Sequence, residues 1–90
     1  MYFSISQALQ FAIAGMPMFG VNTCGFTGNT DYELYSRWMQ LSAFFPFYRN
    51  HNVFAGIAQE AYVWSSVADA TRIVMQIRYS LLPYFYTLFH

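Results

Sequence analysis

The sequence predicts an α/β fold in which helices alternate with short strands of a parallel sheet. Three observations carry this. Apolar residues recur at helical spacing in three segments, near the start, in the middle and near the end of the chain. Two short runs between them, residues 16–21 and 44–48, are apolar on both faces, as strands are when helices cover both sides of a sheet. Each run is followed by a polar, loop-forming stretch. Two strands cannot make such a sheet alone, so the alternation amounts to about a quarter of an eight-unit barrel.

The first helix is expected over residues 4–14. Ile5, Ala8, Leu9, Ala12 and Ile13 share a face, Ser4 can cap the start and Gly15 stands where a helix would end. A strand is expected at 16–21, with Pro17 confined to its beginning because it cannot donate to a ladder. Residues 22–30 form a loop rich in Gly, Asn and Thr. Thr30 and Glu33 have the spacing of a capping box, and Leu34, Trp38 and Leu41 continue a second helix. Pro46 argues against that helix running through it, and residues 44–48 make the second strand candidate. Residues 49–64 make an irregular connection longer than most, which points to a functional loop. Ser66 with Asp69 suggests a cap for a third helix carrying Ala70, Ile73, Val74, Ile77 and Leu81, and Pro83 should kink or restart it.

Composition argues that this apolar surface is meant for burial. The 90 residues are 57% hydrophobic, 22% aromatic and 9% charged, against roughly 25% charged in an ordinary soluble domain. Residues 1–30 contain no Asp, Glu, Lys or Arg. A membrane is the weaker recipient. The longest apolar run, residues 11–21, holds Gly15, Pro17 and Gly20 and falls short of the roughly 20 residues that span a bilayer. No basic flank or signal-peptide pattern accompanies it. The rest of a larger fold is the better recipient. With zero net charge and no basic patch, nucleic acid is not an expected partner. Cys24 is the only cysteine, and no His or Cys lies at ligand spacing to it, so no metal site is expected.

Little in the chain looks catalytic. Asp31, Glu33 and Asp69 suit helix starts, Glu60 lies in the long loop, and no carboxylate pair has the spacing of an acid and base. His51 ends the apolar run 44–48 among Arg49, Asn50 and Asn52. From position alone two readings stand level: a histidine hydrogen-bonded in a buried loop, or a neutral imidazole donating to a substrate hydroxyl at a strand's end. Arg49, two residues earlier, reads as a structural ion pair or carbonyl clamp. Asn22 follows the first strand as Arg49 to Asn52 follow the second, so both open on one rim. Phe26 could supply an apolar wall there or sit in the core, and on these grounds core is favoured.

Four segments together resemble glycoside hydrolase family 31, the retaining α-glucosidases. They are Gly20-Val21-Asn22-Thr23-Cys24-Gly25-Phe26, Leu34-Tyr35-Ser36-Arg37-Trp38-Met39-Gln40-Leu41, Phe45-Pro46-Phe47-Tyr48-Arg49-Asn50-His51-Asn52 and Arg78-Tyr79-Ser80-Leu81-Leu82-Pro83-Tyr84. The resemblance implies that residues 1–90 are part of a (β/α)8 catalytic barrel: the helix after strand six, strand seven and its helix, strand eight and the start of the last helix. It implies that His51 binds sugar in the subsite where the bond is cut, that Phe26 lines that subsite, and that Arg49 and Asn22 are supporting residues. The two family aspartates, a nucleophile and a general acid/base, precede the matched region, so no catalytic residue is expected in this chain and the chain alone is expected to be inactive. The substrate class implied is an α-glucoside or maltooligosaccharide, with no cofactor, in a secreted, cell-surface, lysosomal or vacuolar protein.

Two positions depart from the family pattern. Asn22 stands where Asp is usual, exchanging a charge for an amide. Tyr35 stands where many members have a cysteine paired with the one at Cys24, so that disulfide cannot form. An alternative to an enzyme segment, supported by the apolar surplus and the charge-free first 30 residues, is a non-catalytic remnant that packs on a partner or membrane.

Overall fold

The computed structural model describes all 90 residues, in the order α1 (Tyr2–Ile13), β1 (Asn22–Thr23), α2 (Tyr32–Ser42), β2 (Arg49–Asn50) and α3 (Ser65–Phe89). Helices alternate with two parallel strands, the α/β arrangement expected. The strands, however, lie just beyond the predicted runs. Pro17 offers no N–H, and its carbonyl turns back to accept from Phe19 N at 2.8 Å, a three-residue turn that breaks extension. On the other side, Phe44 N and Phe45 N bond back to Leu41 and Ser42, so the chain leaves α2 coiled rather than extended. One bond, Phe47 N to Phe19 O at 2.9 Å, starts the pairing, and the ladder closes only at Asn22 opposite Arg49 and Thr23 opposite Asn50. Gly20 allows the approach: a Cβ there would stand 2.1 Å from Phe47 O.

α1 starts two residues earlier than expected, with Met1 at its N-cap, and Ser4 lies buried in its first turn, donating to Met1 O at 2.5 Å. Its end is a Schellman motif. Gly15 adopts φ +82°, its N–H bonds Ala12 O at 3.2 Å, and Met16 N bonds Phe11 O at 2.8 Å. Phe11 stacks on Phe19, which meets Phe45 edge-on. That aromatic chain ties α1 to the rest, while Tyr2, Phe3, Leu9 and Ile13 stay largely exposed.

The cap of α2 is Asp31, one residue after the expected Thr30; its carboxylate accepts from Leu34 N at 2.8 Å. Glu33 makes no reciprocal cap and pairs with Arg37 one turn on at 2.6 Å. The Ser66–Asp69 cap of α3 does not form either. Trp64 is the N-cap, Ser66 Oγ donates to Tyr32 Oη at 3.1 Å, and Asp69 pairs with Arg72. Pro83 does not end α3, which continues to Phe89. The bond it forgoes is the one to the backbone carbonyl of Tyr79, a residue that is itself exposed.

α2 packs on α3 and on β1. The core between them is small: Cys24, Tyr35, Trp38, Met39, Phe45 and Val67. Only 13 of the 90 residues are buried, so most of the chain's apolar surface lacks a cover within it. No helix is long and apolar enough to cross a membrane.

Candidate functional site

The parallel register sends β1 and β2 out on the same rim, side by side. Beyond β1 the chain reverses tightly. Cys24 at φ +73° and Gly25 at φ +90° are both left-handed, and Gly25 N bonds Asn22 O at 2.9 Å. Glycine takes that conformation freely; cysteine does so only where its surroundings hold it. Here the Cys24 side chain is buried in the core, and burial pushes its thiol up to about 12. The reversal delivers Phe26 to the rim. Beyond β2 the chain delivers His51, and Val53 N then bonds Phe26 O at 2.9 Å, joining the two loops. The Phe26 and His51 rings lie 5.4 Å apart, tilted by 32°. Phe26 is 43% exposed and His51 half-buried, so both keep a free face.

Residues 50–60 wrap around a pocket of about 320 Å³ that includes Asn50, His51, Asn52, Gln59 and Glu60. A histidine beside an exposed aromatic face, at the C-terminal ends of adjacent parallel strands, offers a hydrogen-bond donor and an apolar wall to one ligand. Across residues 1–88 the chain matches the TIM-barrel domain of the glycosyl hydrolases family 31.

The chain belongs to glycosyl hydrolase family 31. An alpha-glucosidase of Aspergillus oryzae is 73% identical over 90 residues, all of this chain and 9% of that protein. An alpha-glucosidase of Aspergillus niger is 67% identical over 89 residues, 99% of this chain and 9% of that protein. In three dimensions a crystal structure of the glucosidase II alpha subunit superposes with a TM-score of 0.87 at 38% identity, over 93% of this chain and 9% of the other. The chain thus spans about a tenth of the length of these glucosidases.

Within this family 31 segment the other rim residues differ in what they touch. Asn22 is exposed, and its backbone carbonyl closes the Cys24–Gly25 turn. The Arg49 side chain is exposed, and the ion pair or carbonyl clamp expected of it is not made within the chain. The clamp belongs to Arg78, on α3. Its guanidinium donates to Ala43 O at 2.7 Å, Phe45 O at 2.6 Å and Pro46 O at 2.8 Å, and lies over the Tyr48 and Phe85 rings. The carboxylates are dispersed: Asp31 caps α2, Glu33 and Asp69 pair with arginines, and Glu60 stands exposed at the pocket edge.

Beneath the rim lies a polar cluster with no counterpart in the sequence-based expectations. Gln59 is buried at 5% exposure. Its Nε2 reaches Asn50 Oδ1 at 3.0 Å and, at 3.4 Å each, Thr23 O and Gly25 O. Its backbone carbonyl accepts from Tyr35 Oη at 2.8 Å and from Asn50 Nδ2, which also donates to Tyr35 Oη at 3.3 Å. Tyr35 is fully buried, and burial first, then the Cys24 thiol, raise its phenol above the usual tyrosine range. Where the resemblance implies a cysteine pair, a tyrosine hydroxyl and two amides hold the same corner. The one signal in the sequence was a polar Gln59 in a loop already suspect for its length.

Proposed function

We propose that these 90 residues are part of the sugar-binding rim of a retaining α-glucosidase barrel, the segment from the helix after strand six to the start of helix eight. The observation that carries this is the Phe26–His51 pair, facing across adjacent parallel strand ends 5.4 Å apart. His51 donates to a glucose hydroxyl in the subsite where the bond is cut, and Phe26 presents its ring to the apolar edge of the sugar. Arg49 and Asn22 support the rim toward neighbouring strands. The nucleophile and the acid/base, the two carboxylates such chemistry needs, come from barrel residues outside this segment; its own four carboxylates are spent on caps and ion pairs or stand alone. The substrate class is a terminal α-linked glucoside such as maltose.

The test is a graft: the Aspergillus oryzae relative with its matching 90 residues replaced by these. The graft should release glucose from maltose or an aryl α-glucoside, and the isolated 90-residue chain should release none. Each of His51→Ala and Phe26→Ala in the graft should lower kcat/KM by about tenfold or more, the loss expected for a buried hydrogen bond or stacking face in a substrate complex. Turnover by the isolated chain, or full activity of both variants, would refute the reading. Asn22 favours a second reading, a non-catalytic remnant, because the family carries a carboxylate there. A folded, inactive graft that Asn22→Asp restores would establish that reading instead.

A further inference from the structure

We infer that Gln59 is a positioning residue for the Phe26–His51 pair, its side chain tying the end of β1 to the end of β2. This rests on the reading that the pair lines a sugar subsite. The parallel ladder is short, two residue pairs long, so it alone gives the two rim loops little to fix their separation. Gln59 supplies a second tie below it. One amide nitrogen spans Thr23 and Gly25 on the β1 side and Asn50 on the β2 side. Gly25 immediately precedes Phe26, and Asn50 immediately precedes His51, so the tie acts one residue from each ring. Gln59 is held in turn from below, where Tyr35 Oη on α2 donates to its carbonyl at 2.8 Å. Both acceptors on the β1 side are backbone carbonyls, so the tie needs a donor at this position. A carboxylate of the same shape would face those oxygens with another acceptor and part the two ends.

Gln59→Glu in the graft tests this, with glucose as competitive inhibitor of aryl α-glucoside hydrolysis. The variant should keep the graft's circular dichroism spectrum, while the inhibition constant for glucose and KM rise about tenfold, as for one lost hydrogen-bonded alignment. In a graft carrying both His51→Ala and Phe26→Ala the same change should have little further effect on glucose affinity, because both rings it positions are gone. Equal losses in both backgrounds, the mark of general destabilisation, would overturn the inference, as would unchanged glucose affinity in the single variant. If Gln59→Glu does not fold, Tyr35→Phe removes the support of the same carbonyl and should raise the glucose inhibition constant in the same direction; no change there overturns the inference. If His51→Ala and Phe26→Ala themselves leave glucose affinity untouched, it is the subsite reading that fails.

Discussion

Replacing Arg78 by alanine should loosen the turn that launches β2 and leave α2 in place. In the native chain the guanidinium gathers three carbonyls: that of Ala43, the C-cap of α2, and those of Phe45 and Pro46 in the turn itself. A cation at a helix C-terminus also meets the favourable end of the dipole. A hydrogen bond from a charged donor contributes about 1.5–3 kcal/mol. The site is half-buried, so water recovers part of that on truncation, and alanine no longer orders a long side chain, which offsets up to about 2 kcal/mol. Losing the Tyr48 and Phe85 ring faces adds about 0.5–1 kcal/mol each. The net local cost should be about 2–4 kcal/mol, which at 1.4 kcal/mol per tenfold is a rise in local opening of about 30-fold or more. Amide hydrogen exchange in the graft reads this directly. Peptides covering residues 43–52 should exchange faster by that factor in Arg78→Ala, and those from α2 should hardly change. Arg78→Lys should fall between, since an ammonium is a point charge and cannot fork across three carbonyls. Unchanged exchange of residues 43–52 in a folded Arg78→Ala graft would refute the clamp.

Gly20→Ala should cost about 3 kcal/mol or more in the graft, because its Cβ would stand 2.1 Å from Phe47 O and 2.7 Å from Phe47 Cβ, and the backbone must part. Gly56→Ala meets Asn52 Nδ2 at 2.7 Å and Val53 O at 3.2 Å; the amide can move at the cost of its bond to Ile57 O and the carbonyl need give only slightly, so its thermal shift should be the smaller, and equal shifts would contradict the close approach at Gly20. Alkaline pH should destabilise the fold. Burial raises Cys24 from 9.0 to about 12 and, with Cys24 adding to the effect and Arg78 opposing it, Tyr48 from 10.0 to about 12. The unfolded chain therefore releases these protons first, and stability that is full below about pH 9 falls progressively toward pH 12. Melting temperatures that stay level from pH 9 to pH 11 would contradict this.

The helices were largely legible because their signals are local. The 3.6-residue recurrence of Leu34, Trp38 and Leu41 marks one face of α2 whatever lies across from it, and Gly15 does end α1. Caps were less so, since Thr30 and Asp31 are both good N-caps and backbone geometry chooses between them. The strands were displaced because apolar character records burial, not pairing. Residues 16–21 and 44–48 are apolar, yet proline and the turn leaving α2 take them out of the ladder. At the rim, Phe26 read as core and proves 43% exposed, because the left-handed Cys24–Gly25 turn that turns it outward leaves no mark in an apolar residue, whereas the sharing of one edge by Asn22, Arg49 and His51 could be read along the chain. The Gln59 cluster could not, because its partners Thr23, Gly25 and Tyr35 lie 24 to 36 residues away and an amide has no periodicity to betray it. Arg78 was visible in a motif, but its partners are backbone carbonyls, which every residue carries.

The register that places Asn22 beside Arg49 also bears on how the rim is brought together. Its strands are 27 residues apart in sequence and joined through a single helix. Closing a loop of that size costs only about 0.6 kcal/mol more entropy than closing one half as long. The Phe26–His51 contact therefore needs only the two strands and the single helix between them to be brought together. The exposed apolar faces of α1 and α3 take no part in that contact. The two rings thus meet through contacts near in sequence, independent of whatever covers those helix faces.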